Sequence, residues 1–298
     1  MSKITNLSIL TSFLGLWLTS FIKNETQFIV GFILILSFGI VHGANDLLLI
    51  KKIYKEESKS YWKTLFNYLI VIFIAVLLFS FIPWLAMLLF IIVSSYHFGE
   101  QHWENKNLYD HKIINTLFYT TYGLFILLLL FQFHNNEVIA IMLGITGIEF
   151  TFISISLLLK LNGFLLAALF SYNYFSSKVF QKILVVEILY LIVFAIIFKV
   201  GDLIWAFVIY FIFWHSIPSL LDQIKFLYGK VSLKNFKAYC KSAFLYWLIS
   251  LFGIVVLYFL LKDYKIFDSI FFSFLAAITF PHVFVIERMF NLKHKKTE

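Results

Sequence analysis

Long apolar runs separated by short polar breaks make up nearly the whole chain. Leu, Ile, Phe and Val dominate 7–22, 27–50, 65–82, 84–103, 113–133, 138–171, 181–200, 203–221, 242–261 and 266–290. A hydrocarbon core about 30 Å thick takes roughly 20 residues of helix. The pattern therefore predicts an all-α polytopic membrane bundle of about ten spans (eight to ten), a single transmembrane domain over residues 1–298. The longest polar connections, 51–64 and 222–241, are too small to bury a core, which leaves no soluble domain. The first run is short and follows Lys3, as in a signal peptide. The sequence Phe21-Ile22-Lys23 offers no small-residue cleavage site, so this run is expected to stay as a span.

The sixth run, 138–171, is too long for one crossing and contains Gly144, Gly147, Lys160, Asn162 and Gly163. Charge decides how to count it, because cytoplasmic loops collect Lys and Arg. With ten spans and both termini cytoplasmic, inner segments carry 19 of the 24 Lys and Arg, outer loops carry 4, and Lys160 is the remainder. Splitting 138–171 into two full spans would put the lysines of 222–241 outside. One span plus a tilted or re-entrant piece is the expected arrangement, allowed where irregular backbone is buried in protein. Lys160 is then a snorkelling side chain or a break in that helix.

Composition agrees with a multi-pass protein of the cell (inner) membrane surrounded by lipid. Hydrophobic residues make up 61% and charged residues 13%, where a soluble domain is nearer half apolar and a quarter charged. The single cysteine, Cys240, excludes a disulfide within the chain and a thiolate metal cluster. The net charge of +8 raises a nucleic-acid reading, but the lysines lie in short loops between apolar runs, so no nucleic-acid partner is expected.

Four of the eight histidines, His42, His97, His215 and His282, each follow an apolar stretch of similar length. In the ten-span topology those four spans run from outside to inside and place the imidazoles in one layer of the cytoplasmic half. Ionisable groups in spans are rare and usually functional, and neutral imidazole is the commonest metal ligand. Spacing alone leaves open whether the four face one another as a metal site or each bonds a neighbouring helix. His42-Gly43-Ala44-Asn45-Asp46 places a carboxylate one turn after His42, and Glu100 lies one turn after His97. Asp46 and Glu100 are candidates for orienting a ligand imidazole; Glu100 is also a candidate ligand, and interfacial solvation is the alternative for both. Pro218 and Pro281, two of only three prolines, lie beside His215 and His282 and are expected to distort their helices. His102, at the membrane edge, is a weak ligand candidate, and His111, His134 and His294 read as solvated loop or tail residues.

The runs His42-Gly43-Ala44-Asn45-Asp46, Tyr96-His97-Phe98-Gly99, His215-Ser216 and Pro281-His282 resemble, in order, the Brp/Blh family of bacterial and archaeal membrane proteins. The resemblance covers about Gly39 to Val283. It implies a multi-span Fe(2+) enzyme that cleaves β-carotene, or a related carotenoid, with O2 at the central double bond to give two all-trans-retinal molecules. A retinal-binding rhodopsin would be the product acceptor. The family pattern carries a second proposed iron-ligand histidine four residues after the first in the third motif, where this chain has Ser219. Imidazole suits iron better than a hydroxyl does, so His42, His97, His215 and His282 form the expected ligand set, with Asp46, Glu100 and Ser219 around it. The 38 Phe, 16 Tyr and 7 Trp would serve either to line a slot for a long polyene or as ordinary packing and lipid-facing residues.

Two other readings remain at this stage. A polytopic transporter would place polar groups along a path through both halves of the bundle, whereas here they gather on one side. Another membrane non-haem iron lipid oxidase would carry histidines in dense clusters, and only His97 and His102 are close in sequence.

Overall fold

The computed structural model describes residues 3–54, 59–106, 112–148, 154–261 and 267–294. Among these there is no strand. The helices are α1 (Lys3–Thr19), α2 (Asn24–Leu34), α3 (Asp46–Tyr54), α4 (Lys59–Phe81), α5 (Pro83–Trp103), α6 (Lys112–Phe133), α7 (Asn135–Thr146), α8 (Ile155–Ser176), α9 (Lys178–Val200), α10 (Leu203–Tyr210), α11 (Ile217–Tyr228), α12 (Leu233–Leu261) and α13 (Phe267–His294). Wider π-helical turns follow α2 at Ile35–Gly39 and join α10 to α11 at Phe211–Ser216. Seven of the described helical stretches are long and apolar enough to cross a membrane: α4, α6, α8, α9, α10–α11, α12 and α13. The helix α5 is not among them, because its second half gathers Ser94, Ser95, His97, Glu100, Gln101 and His102.

Local chemistry accounts for the helix boundaries. Pro83 opens α5, where its missing N–H costs nothing. The hydroxyls of Ser154 and Ser177 accept the backbone N–H groups of Leu157 and Phe180, each at 3.2 Å, and start α8 and α9. Gly229, at φ 82°, closes α11 with its N–H on Lys225 O. The long sixth run divides at Gly147, at φ 65°, into the 12-residue α7 and the 22-residue α8. At 1.5 Å per residue α7 is about 18 Å long, short of a full crossing. Lys160 does not break α8; it lies on the helix's exposed face. The second run is not one helix either: residues 42–45 form a turn and Asp46 begins α3.

The chain forms two compact units. One comprises Met1–Ile35, Ile91–Ile139 and Phe150–Pro218. In it α6 packs on α8 and α9, α10 packs on α2 and α9, and α1 covers α9 and the second π-helical turn. Its core is aromatic, with Trp103, Phe118, Phe180, Phe194 and Phe198 all buried. The end of α5 meets α6 backbone to backbone: a Cβ on Gly99 would overlap the carbonyl of Tyr119, and one on Gly123 the carbonyl of Ser95. Small residues allow this approach where packing must replace the hydrophobic effect. The other unit comprises Leu36–Phe90, Ala140–Glu149 and Ser219–Glu298. There α13 packs on α3, α4 and α12, around Leu49, Ile50, Val285, Ile286, Met289 and Phe290.

Gly99→Ala and Gly123→Ala should each cost at least the roughly 1–3 kcal/mol typical of overpacking. Gly253→Ala, whose added methyl would stand 3.8 Å from Phe274, should be tolerated. Thermal unfolding of the three variants in detergent checks the contrast.

Candidate metal centre

Each compact unit contains one histidine pair. In the first, α5 carries His97 and the π-helical turn carries His215, with ring centres 4.7 Å apart and planes at 77°. Phe98 meets His215 edge-on at 4.7 Å and Phe211 stacks on it at 5.5 Å, so the imidazole is fixed by aromatic contacts. A π-helical turn leaves carbonyls without their regular partners, and Pro218 removes a further donor. The Phe213 carbonyl is taken by the Ser8 hydroxyl of α1 at 2.7 Å. One turn on, Ser12 accepts the indole N–H of Trp214 at 2.9 Å. Two serines of α1 thus brace the turn that holds His215.

In the second unit the turn at 42–45 places His42, and α13 places His282. Their ring centres are 5.0 Å apart with planes at 88°. Helix α13 continues through Pro281 without a break. The turn is held from two other helices. Gln223 of α11 donates to the His42 carbonyl at 2.8 Å and to Ser219 Oγ at 3.2 Å. The Tyr239 hydroxyl of α12 donates to Gln223 Oε1 at 2.7 Å and stands 3.2 Å from the same carbonyl. Asn45 donates to Tyr239 O at 3.0 Å and accepts from the Ser242 hydroxyl at 2.9 Å. These polar partners lie within the protein, as irregular backbone in an apolar setting requires.

The carboxylates do not follow the one-turn spacing of the sequence. Asp46 accepts from His282 Nδ1 at 2.8 Å, and its other oxygen accepts from the Tyr68 hydroxyl at 3.1 Å. The turn at 42–45 is the reason, because it takes Asp46 off the helix face that His42 would share. Glu100 stands 3.9 Å from His97 Nδ1, beyond hydrogen-bond reach, and accepts from Tyr96 at 2.7 Å. Ser219 is fully buried on Gln223.

The donor chemistry suits a transition metal. With Asp46 as a carboxylate, a neutral His282 would donate from Nδ1 and keep on Nε2 the lone pair a metal needs. Two imidazoles at right angles on one ion, with metal–nitrogen distances of about 2.1 Å, put their ring centres roughly 4.5 Å apart. The ring centres of each pair, within its own unit, are close to that spacing. The hydroxyls of Ser94 and Ser216, near His97 and His215 in sequence, are buried with no protein hydrogen bond. Buried polar groups of this kind generally have a partner, which here points to a non-protein one.

A second polar cluster lies in the first unit and takes His102 away from the ligand role. Glu187 of α9 holds His102 Nε2 at 2.6 Å and Lys106 Nζ at 2.6 Å. His102 stacks on Tyr122, and Lys106 sits 4.0 Å over the Trp103 ring. Burial pushes the Lys106 ammonium below the usual lysine range, while Glu187 opposes that shift. Glu187 is the only acid in a 23-residue apolar helix, a signal the sequence offered and the histidine pattern obscured. Tyr68, Gln223 and Tyr239 gave no such signal. His134 is not solvated as expected: its Nε2 lies 2.8 Å from Phe198 O. His111 and the side chain of His294 lie outside the described residues.

The family model described as Beta-carotene 15,15'-dioxygenase matches residues 33–290. That stretch contains both histidine pairs together with Asp46, Glu100 and Ser219. No curated protein and no solved structure matches the chain.

Gln223→Leu keeps the side-chain bulk but removes a donor from the His42 carbonyl, and should cost about 1–3 kcal/mol. Ser219→His adds an imidazole at a fully buried position and should destabilise by a similar amount through overpacking. Equilibrium unfolding in detergent checks both, with Asp222→Asn on the same helix as a near-neutral control.

Proposed function

The chain belongs to the beta-carotene 15,15'-dioxygenase family, and from that premise we propose that it cleaves β-carotene, or a related carotenoid, at the central double bond. Both atoms of O2 enter the products as the two aldehyde oxygens of two all-trans-retinal molecules. The reaction balances without an added reductant. We place the protein in the cell membrane with both termini cytoplasmic, where a lipid-dissolved polyene reaches it from the bilayer and the retinal is available to a rhodopsin. The number and length of apolar helices support that placement.

The proposed Fe(2+) ligands are His42, His97, His215 and His282. The observation that carries this reading is that all four are buried and paired edge-on in the spacing of adjacent metal ligands. When bound, iron supplies the oxygen chemistry. The chain's own groups do the rest. Asp46 holds the His282 proton on Nδ1 and turns Nε2 toward the ion. The Gln223–Tyr239 network fixes His42, and the Ser8–Ser12 brace fixes the turn that presents His215. Phe98 and Phe211 at His215 offer ring faces against which a polyene can stack. Ser219 is not a ligand in this scheme, because it is committed to Gln223.

His42→Ala, His97→Ala, His215→Ala and His282→Ala should each lose iron and form no retinal while remaining in the membrane. Asp46→Asn should lose roughly 10–100-fold in activity or iron affinity. The measurement is iron stoichiometry of the purified variants, with retinal formation and loss of orange colour in cells that make β-carotene. Wild-type iron content in any histidine variant removes that residue from the set, and orange cells without retinal under the wild-type chain remove the activity.

A further inference from the structure

We propose that Tyr68 is a positioning residue for the metal centre, acting on His282 through the Asp46 carboxylate; this rests on the iron reading above. Three groups on three helices of one compact unit form an unbroken chain. His282 Nδ1 on α13 donates to Asp46 Oδ1 at 2.8 Å, and the Tyr68 hydroxyl on α4 donates to Asp46 Oδ2 at 3.1 Å. Asp46 is the first residue of α3 and is 2% exposed. A carboxylate so buried, beside an apolar cluster, is costly unless its oxygens are paired. Tyr68 supplies the donor that His282 leaves over.

The tyrosine is also a wall. Its ring packs against the Leu49–Ile286 cluster. Together with Ile50, Asn67, Pro281 and Arg288 it lines a cavity of about 480 Å³. Tyr68 therefore touches both that cavity and the Asp46 carboxylate that bonds His282. Removing only its hydroxyl keeps the wall and releases one carboxylate oxygen. Removing the whole ring exposes the carboxylate to the cavity, where water competes for it. An Asp46 that rotates toward water no longer holds the His282 ring at a fixed angle, and groups orienting a ligand imidazole change metal affinity by roughly 10–100-fold.

The test is Fe(2+) affinity by competition with a chelator, measured on the purified full chain in detergent together with its thermal unfolding. Tyr68→Phe should bind iron about tenfold more weakly, at the lower end of the effect of orienting groups, with a lower unfolding temperature because one Asp46 oxygen loses its donor. Tyr68→Ala should weaken it further. In an Asp46→Asn background Tyr68→Phe should add nothing, because its route to the metal is gone. Asn67→Leu, in the same cavity wall but away from Asp46, should bind as wild type. Wild-type affinity in Tyr68→Phe, or the same loss again on top of Asp46→Asn, overturns the positioning role. Absence of iron binding by the wild-type chain would instead overturn the reading beneath it.

Discussion

The constraint behind this structure is that polar backbone and buried charge in an apolar bundle must find partners within the protein. Both histidine pairs depend on a departure from regular helix, and each departure leaves carbonyl groups without their usual donors. At the π-helical turn of His215 the Ser8 hydroxyl bonds one such carbonyl. At the turn of His42, Gln223 donates and Tyr239 closes the network. The irregular geometry sets where the imidazoles point, so these distant side chains belong to the site although they touch no ligand.

Charge is handled in the same way. The two carboxylates that stand closest to the histidines in sequence have separate duties: Asp46 serves His282 and Tyr68, while Glu100 is engaged by Tyr96. Glu187 gathers His102 and Lys106 at the end of α5, tying the helix that carries His97 to α9. Buried ion pairs of this sort contribute little to net stability against a well-packed apolar alternative. Their value is in fixing which helices meet and in what register. The close α5–α6 approach at Gly99 and Gly123 acts to the same end.

An iron dioxygenase working on a hydrocarbon needs little from the protein in acid–base chemistry and much in orientation. In one compact unit Phe98 and Phe211 lie against His215; in the other Asp46 bonds Nδ1 of His282.

What the sequence determined alone is the helical class and the approximate extent of most apolar helices, and it singled out four histidines that the structure buries. These follow from the density of Leu, Ile and Phe and from the rarity of ionisable groups in such runs. Even the division of 138–171 was foreshadowed by Gly147, because only a residue without a Cβ takes its positive φ cheaply. Tertiary structure decided the rest. Spacing put Asp46 with His42, but the turn at 42–45 re-aimed it to His282, 236 residues away. His102 and His134 acquired partners that no local pattern encodes. Tyr68, Gln223 and Tyr239 are ordinary residues of their helices until packing brings them to the histidines. Helical periodicity tells which residues share a face, and only packing tells which faces meet.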